Sequence, residues 1–266
     1  MKKIIIVFLI IIFGALVYTQ IKPGKPSDNI IKEIISQPTP TPTISQSYEI
    51  LYNNQKIAAD IIPIENSSSL TLIPNFKEKL STSQIMERNN CKAGANGGFY
   101  GKDDRPIGHF MNNDIYLGDM LVNHNFFNGF FVGIQGEGVG IISNKLTERR
   151  YKFIVQSGPY MDLWKPEKLS IINDEMARRV LVVNATRKIN DGYTAEYYFM
   201  VLYDPDAQFS GPYLAQVPLI LDKIDDEMGA KIVSSLNLDG GGASSFWNDN
   251  ITLEELASVG SFFCIK

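Results

Sequence analysis

Asn237-Leu238-Asp239-Gly240-Gly241-Gly242-Ala243-Ser244-Ser245-Phe246-Trp247 is the stretch on which the reading of this chain turns. Residues 231–238 are apolar enough for a buried strand, which puts Asp239 at a strand terminus. The glycines that follow permit positive φ and let another group approach bare backbone. Successive glycine N–H groups form an anion-binding concavity when their conformations alternate in hand, and Ser244 and Ser245 would add donors at its rim. A carboxylate beside an anion cradle points to phosphate chemistry. The plainer alternative is a turn closed by an Asx or serine hydrogen bond.

The chain has 266 residues, 44% of them apolar and 11% aromatic, enough for a large core. Its N-terminal region does not read as a domain, which leaves one domain of about 220 residues. A formal charge of -4 with no basic run argues against nucleic-acid binding. Cys91 and Cys264 are too few for a disulfide framework, so two buried thiols are expected, although an exported location permits one bridge.

Met1-Lys2-Lys3 precedes an apolar run over residues 4–18, the pattern of an export signal. The run falls short of the roughly 20 residues of a spanning helix, yet no small-x-small cleavage site follows it. An uncleaved membrane anchor with the remainder outside is therefore expected, the alternative being a cleaved, secreted form. The Pro-Thr repeat of residues 37–43 reads as a semi-extended spacer. The expected organisation is an anchor or signal over residues 1–20, a Pro/Thr-rich linker over 21–46 and one domain over 47–266.

Residues 48–52 and 56–64 form an expected hairpin around Asn53-Asn54, and 70–73 a third strand. Ser81-Thr82-Ser83-Gln84 has the form of a capping box and predicts a helix to about Arg88. Strands follow over 106–112, 115–117, 129–135, 139–142 and 151–156, then a long pair over 176–184 and 195–203 turning at Asn190-Asp191-Gly192. Leu214, Val217, Leu221, Ile224 and Met228 recur at helical spacing up to Gly229, with the acids between them on a solvated face. Pro218 either starts this helix or kinks it. Thr252-Leu253-Glu254-Glu255 can cap a last helix before a last strand over 261–265.

Two further glycine-bearing segments stand at strand ends. Asn96-Gly97-Gly98-Phe99-Tyr100 leads into a polar loop too long for a tight hairpin, and Gln156-Ser157-Gly158-Pro159 closes a strand. Arg178 and Arg179 adjoin the apolar run at 180–183, so alternation puts one on each face. A buried guanidinium needs a carboxylate or a bound anion, and both readings stay open.

In this order the motifs resemble those of the phosphodiester glycosidase family. Asn96-Gly97-Gly98-Phe99-Tyr100 is similar to its N-G-G-F-F, Gly158-Pro159 to its G-P segment, and residues 237–245 to its N-L-D-G-G-G-S-S signature. Arg179 falls where an R-T-A-like strand is expected, and the likeness covers about residues 70–247. Val180, Ala243 and Asp162 depart from the pattern, which leaves the arginine register open by one. The resemblance implies a mixed α+β fold, largely antiparallel sheets with a few packed helices, whose strand ends converge on one cleft. It also implies hydrolysis of a sugar 1-phosphodiester.

In such a substrate the leaving group is a phosphate monoester whose second pKa is about 6, so it hardly needs a proton. An ordinary glycosidase uses two carboxylates because its leaving alcohol does need one. Asp239 would be the essential carboxylate, as base or nucleophile. Arg179 would hold the phosphate, and Asn96 would bind sugar hydroxyls or orient the water. Gly97, Gly98, Gly158, Asn237, Gly240, Gly241, Gly242, Ser244 and Ser245 would shape the substrate site. No cofactor or metal is expected: His109 and His124 lack a zinc spacing, and neither serine lies in a G-x-S-x-G context. The rival is a non-catalytic module that binds phosphorylated envelope glycans.

Overall fold

The computed structural model describes residues 46–190 and 192–266. The expected membrane segment and Pro/Thr spacer lie outside the described residues. Asn53 and Asn54 hold φ of 49° and 63°, the backbone of a two-residue hairpin turn, and join β1 (Gln46–Tyr52) to β2 (Gln55–Pro63). Then come β3 (Leu70–Pro74) and α1 (Thr82–Asn89), which opens on the expected capping box, Ser81 to the Gln84 N–H and Gln84 back to the Ser81 N–H. β4 (Ala93–Asn96) ends at the first motif. Asn113 and Asp114, again at positive φ, turn β5 (Phe110–Asn112) into β6 (Ile115–Gly118). β7 (Gly129–Ile134), β8 (Gly138–Ser143), β9 (Tyr151–Ser157) and β10 (Tyr160–Asp162) follow.

β11 (Arg179–Ile189) and β12 (Gly192–Tyr203) are the long central pair; Asp191, within their expected turn, lies outside the described residues. α2 (Val217–Met228) starts with Pro218 in its first turn, where a missing N–H costs nothing, and ends on Gly229 at φ 61°. β13 (Lys231–Asn237), β14 (Phe246–Trp247), β15 (Thr252–Leu253) and β16 (Ser261–Ile265) complete the chain.

Three antiparallel sheets result, ordered β1-β2-β12-β11-β13-β10, β15-β14-β4-β16-β3 and β6-β5-β9-β7-β8. The strand period divides the first sheet between two cores. Leu181, Val183 and Ala185 face α2 through Ile220, Leu221 and Ile224, whereas Val180 and Val182 meet Phe131 and Phe153 of the third sheet and Phe246 and Phe263 of the second. α1 covers the outer face of the second sheet through Ile85, against Phe262 and Cys264.

This corrects the expected α+β class. The described residues form a β-rich fold with only two α-helices, each lying on one sheet. The expected helix after residue 252 is absent because Thr252 and Leu253 pair with Trp247 and Phe246 as β15. Asp225 also departs from the solvated face of α2: it is buried, accepts the Ile232 N–H at 2.8 Å and pairs with Lys231 at 2.6 Å. Cys91 and Cys264, expected as thiols, are bridged, tying the segment after α1 to β16 across 173 residues of sequence.

Candidate functional site

Three of the four motifs meet through backbone and amide bonds. The Asp239 N–H donates to the Gly97 carbonyl at 3.2 Å, and Asn96 Nδ2 donates to the Asp239 carbonyl at 2.9 Å. Gly158 N–H and Ser157 Oγ both donate to the Asn237 carbonyl, at 3.1 and 2.6 Å, and Asn237 Nδ2 returns a bond of 2.9 Å to the Gly158 carbonyl. Gly158 also lets the 126–127 backbone approach this strand end. A Cβ there would lie 1.8 Å from the Phe126 carbonyl oxygen, so any side chain would force the 126–127 backbone away. Gly97 and Gly98 are likewise buried.

Asp239 is the one acid within these three motifs. It is half-buried, and its Oδ1 accepts the N–H of Gly240 at 2.9 Å. Burial pushes its pKa up to about 7, opposed by that single N–H. Tyr100 is a neighbour: burial raises its phenol pKa, and Asp239 and then Asp104 push it the same way. Its hydroxyl donates to the Ser258 carbonyl at 2.6 Å.

Both arginines are buried, where the expectation was one on each face with one of them partly buried, and they take different partners. Arg178 braces the glycine turn from behind. Its Nε donates to Ser244 Oγ at 2.7 Å, its Nη2 to the carbonyls of Ser244 and of Glu254, and its guanidinium lies 5.0 Å from the Phe209 ring centre. Burial lowers its pKa to about 10, with Glu255 opposing the shift. Arg179 pairs with Asp174 at 3.3 Å and donates to the carbonyls of Glu175 and Pro212. Asp174 in turn accepts the N–H groups of Leu214 and Ala215 ahead of α2. Nη1 of Arg179 remains toward the turn, 3.8 Å from where a Gly240 Cβ would stand.

The turn itself is used inwardly. Gly241 takes φ 62°, and its N–H bonds the Arg178 carbonyl at 2.9 Å, while the Gly240 N–H is held by Asp239. Two of the expected anion donors are thereby occupied. Gly242 carries Leu256 and Ala257 on its carbonyl at 2.8 and 2.9 Å. Ser244 and Ser245 are fully buried: Ser244 Oγ donates to the Gly241 carbonyl and Ser245 Oγ bonds Thr82 Oγ1 at 3.0 Å. Asn96 is also committed, since its Oδ1 accepts the Ser245 N–H at 3.0 Å. These residues, expected on the substrate side, shape the turn that carries Asp239.

Glu255, expected to help cap a last helix after residue 252, instead accepts both the N–H and the hydroxyl of Thr82 at the start of α1 with its carboxylate. Sequence reasoning missed Asp174 as the partner of Arg179: it lies in a loop, with no spacing that marks it. Among the described residues no group of three or more His, Cys, Asp or Glu is placed to hold a metal ion. His124 is a turn residue whose Nδ1 accepts the N–H groups of Phe126 and Phe127. No helix among the described residues is long and apolar enough to cross a membrane.

No family model matches the chain, and no curated protein matches it either.

Proposed function

We propose that this chain is a hydrolase of the phosphodiester glycosidase type, which cleaves a sugar 1-phosphodiester at the anomeric carbon. The observation that carries the reading is Asp239: a single carboxylate at the junction of three glycine-bearing strand ends, its ionisation governed by burial and one backbone N–H rather than by a second acid. A group that titrates near neutral pH is matched to general-base work.

In this reading Asp239 takes a proton from water, and the water oxygen bonds the anomeric carbon. The bond from that carbon to the phosphate oxygen breaks, and its electron pair leaves with the phosphate monoester, which needs no acid. Arg179 meets the phosphate through Nη1 while Asp174 and two carbonyls fix the rest of its fork. Asn96 becomes a positioning residue that fixes the backbone of Asp239. The Cys91–Cys264 bridge supports an oxidising, extracytoplasmic setting, in keeping with the export signal read at the N-terminus and with phosphorylated envelope glycans as substrates.

The internal use of the Gly240 and Gly241 N–H groups favours a second reading, a module that binds such glycans without cleaving them. Incubating native protein and Asp239→Asn with sugar 1-phosphodiesters separates the two. Asp239-dependent release of phosphate monoester supports the hydrolase; calorimetric binding without any release overturns it in favour of the module.

A further inference from the structure

A cavity of about 650 Å³ is reached from the candidate site through the first motif: Gly97 accepts the Asp239 N–H, and Tyr100, three residues on, bridges to Pro106 of the cavity lining. The Tyr100 ring and the Phe76 ring both abut Gly260, 2.8 Å from where its Cβ would stand. Phe76 and Pro106 line the cavity, as does Asp104, which acts on the same phenol as Asp239. The size is within the ~300–1,000 Å³ of ligand pockets.

The lining combines two features that recognise different parts of one ligand. The hairpin of β5 and β6 presents Tyr116 at 63% exposure, backed by the His109 ring at 5.5 Å; an aromatic face held this way suits the apolar face of a sugar. The charges around it are unequally engaged. Asp104 is bound to Lys79 at 2.8 Å and Glu78 to Arg88, while Asp119 is exposed and in no hydrogen bond or ion pair through its side chain with another described residue. Lys77 and Arg105, exposed on the same lining, have side chains in no hydrogen bond or ion pair with another described residue. Two uncommitted cations against one uncommitted acid, beside an aromatic platform, fit a sugar joined to a phosphate.

We propose that this cavity is a subsite for the next repeat of a phosphate-linked polysaccharide, Tyr116 stacking on its sugar while Lys77 and Arg105 meet its phosphate. The choice of a phosphate-linked chain rests on the proposed phosphodiester reading, but binding in the cavity does not require cleavage at Asp239. A polymer would then span both places, its scissile link at Asp239 and its next repeat past Tyr100.

The test compares monomeric sugar 1-phosphodiesters with trimers of glucose 1-phosphate, N-acetylglucosamine 1-phosphate and mannose 1-phosphate repeats. Binding and phosphate release are measured on the native chain, Tyr116→Ala and Lys77→Ser/Arg105→Ser, all at exposed positions where folding persists. At least one trimer should bind ten times or more tighter than its monomer. Both variants should erase that advantage and leave monomer binding and release unchanged. A native chain that prefers no trimer, or a preference that both variants retain, overturns the subsite, and monomer release still reports on the hydrolase reading. Trimer binding that depends on Tyr116 without release of any phosphate supports the subsite and overturns the hydrolase.

Discussion

Asn96 Nδ2 donates to the Asp239 carbonyl at 2.9 Å, and Asn96 Oδ1 accepts the Ser245 N–H at 3.0 Å. One side chain thus clamps both ends of the glycine turn, from a residue 143 positions before the aspartate. Asp239 is placed from outside its own segment.

Asn96→Ala should therefore act on stability before it acts on any ligand. It strands the Asp239 carbonyl and the buried Ser245 N–H, and losses of this kind cost ~2–4 kcal/mol for two such groups. Urea unfolding of the variant should show that loss in its midpoint. A midpoint within experimental error of the native chain would mean that the clamp is not needed.

The two adjacent arginines should separate by readout. Arg178→Lys loses the fork that holds Ser244 and Glu254 inside a fully buried site, and should destabilise by ~2–4 kcal/mol. Arg179→Lys keeps its partner Asp174 within reach of a charge, so it should unfold closer to native while binding a sugar phosphate about tenfold more weakly. Ligand affinity that survives Arg179→Lys would remove Arg179 from the phosphate role.

Local signals in the sequence gave true elements wherever the cause was local. The asparagine pair at 53–54, the capping box at Ser81 and the glycine after Met228 each act within a few residues, and each element stands where it was expected. The errors share a different origin. Thr252-Leu253-Glu254-Glu255 carries a helix-start pattern, but tertiary pairing with Phe246 and Trp247 wins, and Glu255 instead caps a helix that begins at Thr82. Ser244 and Ser245 look alike in sequence whether their hydroxyls point into a cleft or into the core. Only the buried Arg178 and Thr82 decide it. The helix content was overestimated because the family resemblance, not the periodicity, supplied the fold class, and the periodicity itself was mostly that of strands.

The Cys91–Cys264 bridge closes a loop of 173 residues, and the chain-entropy account assigns ~5 kcal/mol to a crosslink of that span. Cys91→Ala/Cys264→Ala should lower the unfolding free energy by several kcal/mol, and so should reductant on the native chain. Quantitative thiol labelling of the unfolded native protein without reductant would contradict the bridge.

Asp239→Asn should raise stability and lower turnover, with opposite dependence on pH. The folded pKa of about 7 stands above the usual 3.8, so between these values the native state holds a proton that the unfolded state has lost. Native stability therefore falls as pH rises from 3.8 toward 7, and above 7 the full cost of a buried carboxylate is present, at most about 4 kcal/mol. Asparagine removes that charge while its Oδ1 can still accept the Gly240 N–H. The melting temperature of Asp239→Asn should then exceed that of the native chain at pH 8 and match it near pH 4. Turnover runs the other way: the carboxylate is the working form of a base, so native activity should rise through pH 7, and the variant should lose ~10²–10⁴-fold. A variant that melts below the native chain at pH 8 would show that Asp239 is a stabilising ion rather than a strained one. An activity profile flat from pH 5 to 8 would take the base role from it.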